Sequence, residues 1–400
     1  MALHFVATRP DPALFPMPWD TPLEEWDDQY LVPLPRGLSR HVVRIIRTGP
    51  GGTTYVAKET VAEMAHREYR VLRDLGRLGL PVVVPQCVVT GRETPDGEPL
   101  PAMLVTRHLQ YSMPYRWLFS HGLDAQKLPA LIDAQVVLLV RLHLANFVWG
   151  DVSLSNVLFR RSAGDFAAYL VDAETGELRS SLSDQMRQYD VTIATENVFA
   201  ELLDLLESGD LRDDVDPHAV IERLQEKYDA LWAELTQEEE FGSGELWRVE
   251  QRIQRLNDLG FDVDEIEMDS TDSDRMLLRP KVVELGHHSR ELQSLTGMSV
   301  EENQARRLLN DIAAFAHHFG LQDEERTVMA SQWMTRIYEP IMKMVPLESR
   351  GKLEPAEIFH EILQHRWYLS EQRSAEVPIF ESAQDYIEHV LPEKPRVVPA

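Results

Sequence analysis

Cysteine is almost absent from this chain of 400 residues. The single Cys87 has no partner within the chain, which excludes an intrachain disulfide and a disulfide-stapled secreted fold. No apolar run approaches the roughly 18 residues that a membrane-spanning helix needs, so no transmembrane segment is expected. The first residues show no basic stretch leading into an apolar one, so no signal peptide is expected and a cytoplasmic location is the default. Basic residues are also scarce, with 40 Lys and Arg against 66 Asp and Glu and a net charge of −26. The deficit is local. Between Glu196 and Asp274, 25 acidic residues face 6 basic ones, a balance of −19. A chain of this sign repels phosphate backbones rather than releasing their counterions, so no nucleic-acid partner is expected. The acidic block reads as solvated helix faces and an acidic linker.

What remains is ordinary globular material, with 44 % hydrophobic and 26 % charged residues, long enough for two or three domains. Residues 1–25 are Pro-rich and aperiodic and read as an extended N-terminal arm. Short β-branched runs at Val42–Ile46 and Thr53–Ala57 flank Gly49-Pro50-Gly51-Gly52, a hairpin signal. Ala65, Tyr69, Leu72, Leu75 and Leu78 recur at helical spacing, and Gly79 and Pro81 stop that helix. Strands are expected at Val82–Val89 and Met103–Thr106, and a strongly apolar helix over 126–145. Short apolar segments at Val157–Phe159 and Ala168–Val171 precede helices at 183–207 and 217–235. A third region opens near 241, with a helix at 244–259 and a hairpin of Val263–Met268 and Met276–Val283. Helices follow, one capped by Ser299 and Glu302 and striped by Leu308, Ile312, Phe315 and Phe319. The order is α+β in two lobes, followed by a mainly helical region. The expected limits are 1–25 for the arm, 26–110 and 111–240 for the lobes, 241–392 for the C-terminal domain and 393–400 for a tail.

Three clusters of polar residues carry chemistry. Val56-Ala57-Lys58 ends an alternating strand, and Glu68, ten positions on, could supply the counter-charge a buried lysine needs. Glu59 and Glu63 compete for that role, but the phase beside Tyr69 and Leu72 favours Glu68. Trp149-Gly150-Asp151 is followed by Asn156, a D-x-x-x-x-N spacing that lets the aspartate face an acceptor hydroxyl while the asparagine turns to a metal. Asp172 follows a strand, 16 positions after Asn156. An amide oxygen and a carboxylate are hard ligands suited to magnesium. Phosphoryl transfer from ATP needs a cation on the phosphates, metal ligands and an orienting carboxylate, and the three clusters offer these in order.

On these residues the sequence resembles the protein-kinase-like superfamily over about 30–210. It is most similar to the bacterial branch of lipopolysaccharide (Kdo/WaaP-type) kinases, in a group that couples such a half to a C-terminal domain of unknown function. The resemblance implies a two-lobed fold with an antiparallel N-lobe sheet plus one helix and a helical C-lobe. It implies ATP and Mg as cofactors, Lys58 as the phosphate-pairing lysine, Glu68 as its partner, and Asp151 as catalytic base. Asn156 and Asp172 become metal ligands, and Thr106 to Leu109, with His108, the hinge near adenine. Glu174, where the family has glycine, is an additional carboxylate near the metals.

The departures are specific. Trp149 replaces a His or Tyr, and Ala173-Glu174 replace Phe-Gly. The phosphate-covering loop, Leu34 to His41, has one glycine, so Ser39, Arg40 and backbone N–H groups would have to help. No A-P-E segment follows Asp172, which disfavours a eukaryotic-type activation loop. The expectation is an ATP- and Mg-dependent kinase acting on a small molecule, glycan or protein hydroxyl, with the C-terminal domain open to a protein partner. A pseudokinase scaffold and an AMP transferase are the alternatives. His287-His288, His317-His318 and the His360/His365 pair read as solvated or core histidines rather than zinc ligands, since neither spacing is that of a metal pair. Trp333, Trp367 and Tyr368 read as core, Arg306-Arg307 as a solvated face, and Cys87 as a buried inert thiol.

Overall fold

The computed structural model describes residues 3–33, 40–49, 51–120, 123, 127–211, 214–237, 239–242, 251, 261–272, 275–373 and 375–394. Packing divides the chain into two units, one of residues 1–160 and 168–228, the other of residues 161–167 and 229–398. No helix among the described residues is long and apolar enough to cross a membrane.

The first unit opens with strand β1 (His4–Val6), followed by β2 (Val43–Arg47), β3 (Thr54–Thr60), helix α1 (Ala62–Arg77), β4 (Pro85–Thr90) and β5 (Ala102–Arg107). The five strands form one antiparallel sheet in the order β1-β4-β5-β3-β2. The N-terminal segment is therefore not an extended arm. It adds the edge strand and buries Leu14, Met17, Trp19, Leu23 and Trp26 with Tyr55, Ala57, Cys87, Val89, Met103 and Val105. Buried Arg92 fastens it, donating to the carbonyls of Trp19 and Thr21. Cys87 lies in this core as expected, and burial pushes its thiol up to about 12.

The two-residue period of β3 sorts its side chains. Tyr55 and Ala57 enter that core, while Val56 and Lys58 face a cavity on the other side. Buried apolar positions Ala65, Tyr69, Leu72 and Leu75 put Glu68 on the inner face of α1. The helix ends as the sequence implies. Gly79 takes φ +74, and the N–H groups of Gly79 and Leu80 donate to the carbonyls of Gly76 and Leu75.

Beyond the sheet come β6 (Ser112–Pro114), α2 (Tyr115–Ser120), α3 (Leu128–Leu144), β7 (Phe147–Val148), β8 (Val157–Ser162), β9 (Asp165–Leu170) and β10 (Glu177–Leu178). Two long helices follow, α4 (Asp184–Ser208) and α5 (Pro217–Thr236). Helix α3 is apolar almost all round and buried along its length, from Leu128 to Leu142. Ser183 caps α4 by accepting from the Met186 N–H, and Gly209 ends it in the left-handed conformation.

In the second unit, β11 (Glu239–Gly242), β12 (Phe261–Asp272) and β13 (Arg275–Leu285) form a sheet of order β11-β13-β12. The expected hairpin is its β12–β13 pair. The expected helix at 244–259 falls almost wholly outside the described residues. Helices His287–Thr296, Glu302–His318, Arg326–Trp333, Glu339–Met344, Pro355–Arg373 and Ile379–His389 enclose Leu308, Ile312, Trp333, Ile341, Phe359 and Tyr386. Three expectations fail here. Ser299 does not cap the helix that starts at Glu302; Glu302 instead accepts from the N–H groups of His288 and Ser289, capping the preceding helix. Phe319 lies one residue past the helix end and is 49 % exposed. Trp367 and Tyr368 are exposed, because the buried stripe of their helix runs through Ile358, Phe359, Ile362 and Leu369.

Candidate active site

Lys58 is the hub. Its Nζ donates to Glu68 Oε2 at 3.0 Å, to Asp172 Oδ2 at 2.8 Å and to Glu174 Oε2 at 3.1 Å. Three carboxylates on one ammonium leave an excess of negative charge. Burial works against the Lys58 charge, but Glu68 and Asp172 outweigh it and hold the ammonium above its ordinary range. Burial first, and then the Asp172 charge, push the Glu68 carboxyl up to about 7 against the pull of Lys58. The rivals for Glu68 are elsewhere. Glu59 points to the opposite face of β3, where it accepts from Arg92 and from the Leu23 N–H, and Glu63 is exposed.

Oxygen atoms of Glu68, Asp172 and Glu174 lie within 4.8 Å of one another. Such a set of hard oxygen donors with excess negative charge fits a small divalent cation. Asp172 Oδ1 accepts from the Glu174 N–H at 3.0 Å, which fixes the turn carrying both carboxylates. Glu174 also meets His41 Nε2 at 3.0 Å.

Asp151 and Asn156 sit on the loop between β7 and β8. Asn156 Nδ2 donates to the Asp151 carbonyl and to Asp151 Oδ2, both at 3.0 Å, which leaves its amide oxygen as the available ligand atom. Gly150 turns the chain at φ +76 just before Asp151. Lys58, Glu68, Asp151, Asn156, Asp172 and Glu174 all line one cavity of about 490 Å³. Thr106 and His108 line it too, with Val56, Val83 and Leu104 as apolar neighbours. Burial holds the His108 imidazole down to about 4, so it is neutral at physiological pH. Arg40 reaches the cavity at 3.8 Å from Asp151 Oδ2, with its side chain 89 % exposed. Ser39 lies outside the described residues.

Several residues that hold this site in place carry no motif of their own. The Asp190 carboxylate on α4 accepts from the N–H groups of Trp149 at 2.6 Å and Gly150 at 2.8 Å. His143 sits between Asp190 and the Tyr228 hydroxyl, at 3.2 and 2.7 Å. Burial lowers the pKa of this imidazole, although the Asp190 hydrogen bond opposes the shift. Trp149, the residue that departs from the family pattern, is fully buried and donates its indole N–H to the Asp172 carbonyl at 3.1 Å. It braces the site without filling it. Glu201 accepts from the N–H groups of Leu154 and Ser155, both at 2.8 Å, and from the Ser155 hydroxyl. A Cβ on Gly176 would lie 2.1 Å from the Phe147 ring, so only glycine lets the strand after Glu174 pass.

The five-stranded sheet with its helix, the helical second lobe and the lysine-carboxylate cleft define a protein-kinase-like unit. Residues 54–194 match the family model of the lipopolysaccharide kinase (Kdo/WaaP) family, and residues 230–391 match that of a domain of unknown function (DUF4032). No curated protein matches the chain. A solved structure titled "WaaP in complex with acyl carrier protein" is similar over 56 % of this chain and 89 % of its own, at 18 % identity and a TM-score of 0.35. The kinase-like unit thus resembles the lipopolysaccharide kinases in sequence, and the family match takes in Lys58, Glu68, Asp151, Asn156 and Asp172.

Proposed function

We propose that this chain is an ATP- and Mg-dependent phosphotransferase that delivers the γ-phosphoryl group to a hydroxyl acceptor. The observation that carries the reading is the convergence on one cavity of a carboxylate-held lysine, a carboxylate cluster, and an aspartate with its asparagine five residues on. Lys58 binds phosphate oxygens, and Glu68 keeps its ammonium aimed at them. Magnesium held by Asn156, Asp172 and Glu174 would offset the charge of the phosphates. Thr106 and His108 lie on the side of the cavity that takes the base. Asp151 orients the acceptor hydroxyl and takes its proton as the acceptor oxygen bonds to the γ-phosphorus. The bond from that phosphorus to the β-phosphate bridging oxygen breaks, and ADP leaves. Residues 230–391 serve recognition of the acceptor or of a protein partner.

The acceptor is a small molecule, a glycan or a protein hydroxyl. The test is incubation with magnesium and ATP labelled at the α- or the γ-phosphate, with a lysate or metabolite pool as acceptor source. Transfer from the γ-position alone is expected. Transfer from the α-position alone makes the protein an AMP transferase, and nucleotide binding without transfer makes it a pseudokinase.

A further inference from the structure

We infer that Asn197 is a positioning residue for Asp151, an inference that rests on the phosphotransferase reading. Asp190, Asn197 and Glu201 are seven and four residues apart on α4, so they share one face of the helix. Each bonds a different stretch of the same loop. Asp190 takes the N–H groups of residues 149 and 150, and Glu201 those of 154 and 155. Asn197 takes the stretch between them, and it alone of the three reaches the side chain asked to accept the proton.

Asn197 Nδ2 donates to Asp151 Oδ1 at 3.3 Å and to the Val152 carbonyl at 3.1 Å. Both partners are acceptors, so the amide must present its nitrogen to them. Asn156 Nδ2 donates to the other oxygen, Asp151 Oδ2, at 3.0 Å. The carboxylate is thus held at both oxygens by two amides from different elements. A terminal carboxylate torsion is broad when left to itself. Two fixed donors reduce it to one orientation, which is what a group taking a proton in a short-lived geometry requires. Asn197 makes no bond to Lys58, Glu68, Asp172 or Glu174. Its loss should disturb proton transfer and leave the nucleotide site alone.

The experiment uses the full chain, magnesium and ATP, with water as acceptor. Asn197→Ala should lower the hydrolysis rate about ten- to a hundredfold, within the range of general-base and positioning effects. Mg·ATP should still bind one per chain with unchanged affinity by calorimetry. Asn197→Asp keeps the shape but replaces the donor with an acceptor, and should lose as much; it serves if the alanine variant does not fold. The deciding measurement is Asn197→Ala in an Asp151→Asn background. If Asn197 acts through Asp151, the second change should cost less than about twofold, because the group it positions is already disabled. A full additional loss in that background, or a reduced number of binding sites, would mean a structural role and overturn the inference. Wild-type turnover in both Asn197 variants, beside a slow Asp151→Asn, would overturn it alone. Wild-type turnover in Asp151→Asn would overturn it together with the base role given to Asp151, and absence of any transfer or hydrolysis in the wild type would overturn the phosphotransferase reading itself.

Discussion

Replacing Lys58 with Met removes one ammonium and keeps most of an apolar stem. It leaves three carboxylates whose oxygens lie within 4.8 Å of one another. Their exposures differ in a way that sets the cost. The Asp172 and Glu174 side chains are 29 % and 24 % exposed, whereas Glu68 is 1 % exposed. Only Glu68 loses a partner that water cannot replace. Stripping the partner from a buried charge costs about 3–5 kcal/mol. The low end, about 3 kcal/mol at pH 7.5, is expected here, because Glu68 can escape by taking a proton. Its carboxyl already stands near 7 with Lys58 present and must rise further without it. Below about 7 wild type and variant both hold that proton, whereas above it the folded variant keeps the proton that wild type releases, so the variant's stability falls more steeply as pH rises. The deficit should therefore be smaller at pH 5.5 than at pH 7.5. Hydrogen exchange of the amides of β3, followed at both pH values with and without magnesium, reads this free energy. Added magnesium should return part of the loss at pH 7.5, since a divalent cation can replace the ammonium among the carboxylates. A variant as stable as wild type at pH 7.5, or a deficit unchanged at pH 5.5, would refute the charge argument.

Asp172→Ala should abolish magnesium-dependent ATP binding while far-ultraviolet circular dichroism stays unchanged; unaltered Mg·ATP affinity would remove Asp172 from the metal site. Asp151→Asn should bind Mg·ATP normally and lose about 10²–10⁴-fold in turnover, as expected for a general base; wild-type turnover would show that another group takes the proton. Burial holds both His108 and His360 down to about 4, so below about pH 6.5 the unfolded chain takes protons that the folded one refuses. Stability should fall as pH drops from 6.5 towards 4, and His360→Gln should flatten part of that slope in acid titrations of the unfolding midpoint.

The part of the site that rests on local pattern is legible in the sequence. Lys58 follows from a strand period, Glu68 from a helix phase, and Asp151, Asn156 and Asp172 from spacing around short strands. All five line the cavity together. The supporting residues are not legible, because their partners are distant in the chain. Asp190 serves an N–H 41 residues earlier, and Glu201 one 47 residues earlier. Both are acids on a long helix, where acids ordinarily face water. The available signal is phase, since Asp190 adjoins the buried Val191 and Ala194 and Glu201 the buried Leu202. The N-terminal segment resembles a free arm because irregular chain has no period to show. Trp19, with Trp26 just beyond the segment, is the warning, since aromatic surface of that size is rarely left in water. At Ser299 the local motif is present, but Glu302 is claimed by the neighbouring helix, a competition that no window of four residues can reveal.

Trp149 gives the molecule an internal optical reporter. Its indole is shut off from solvent, and its N–H is bonded to the backbone of the residue proposed to hold the metal. Indole emission responds to that hydrogen bond and to charge nearby, so metal or nucleotide arriving at Asp172 should shift the signal from within the fold. A variant with Trp149 as its sole tryptophan would let occupancy of the site be followed in real time by fluorescence, without a label and without knowledge of the acceptor.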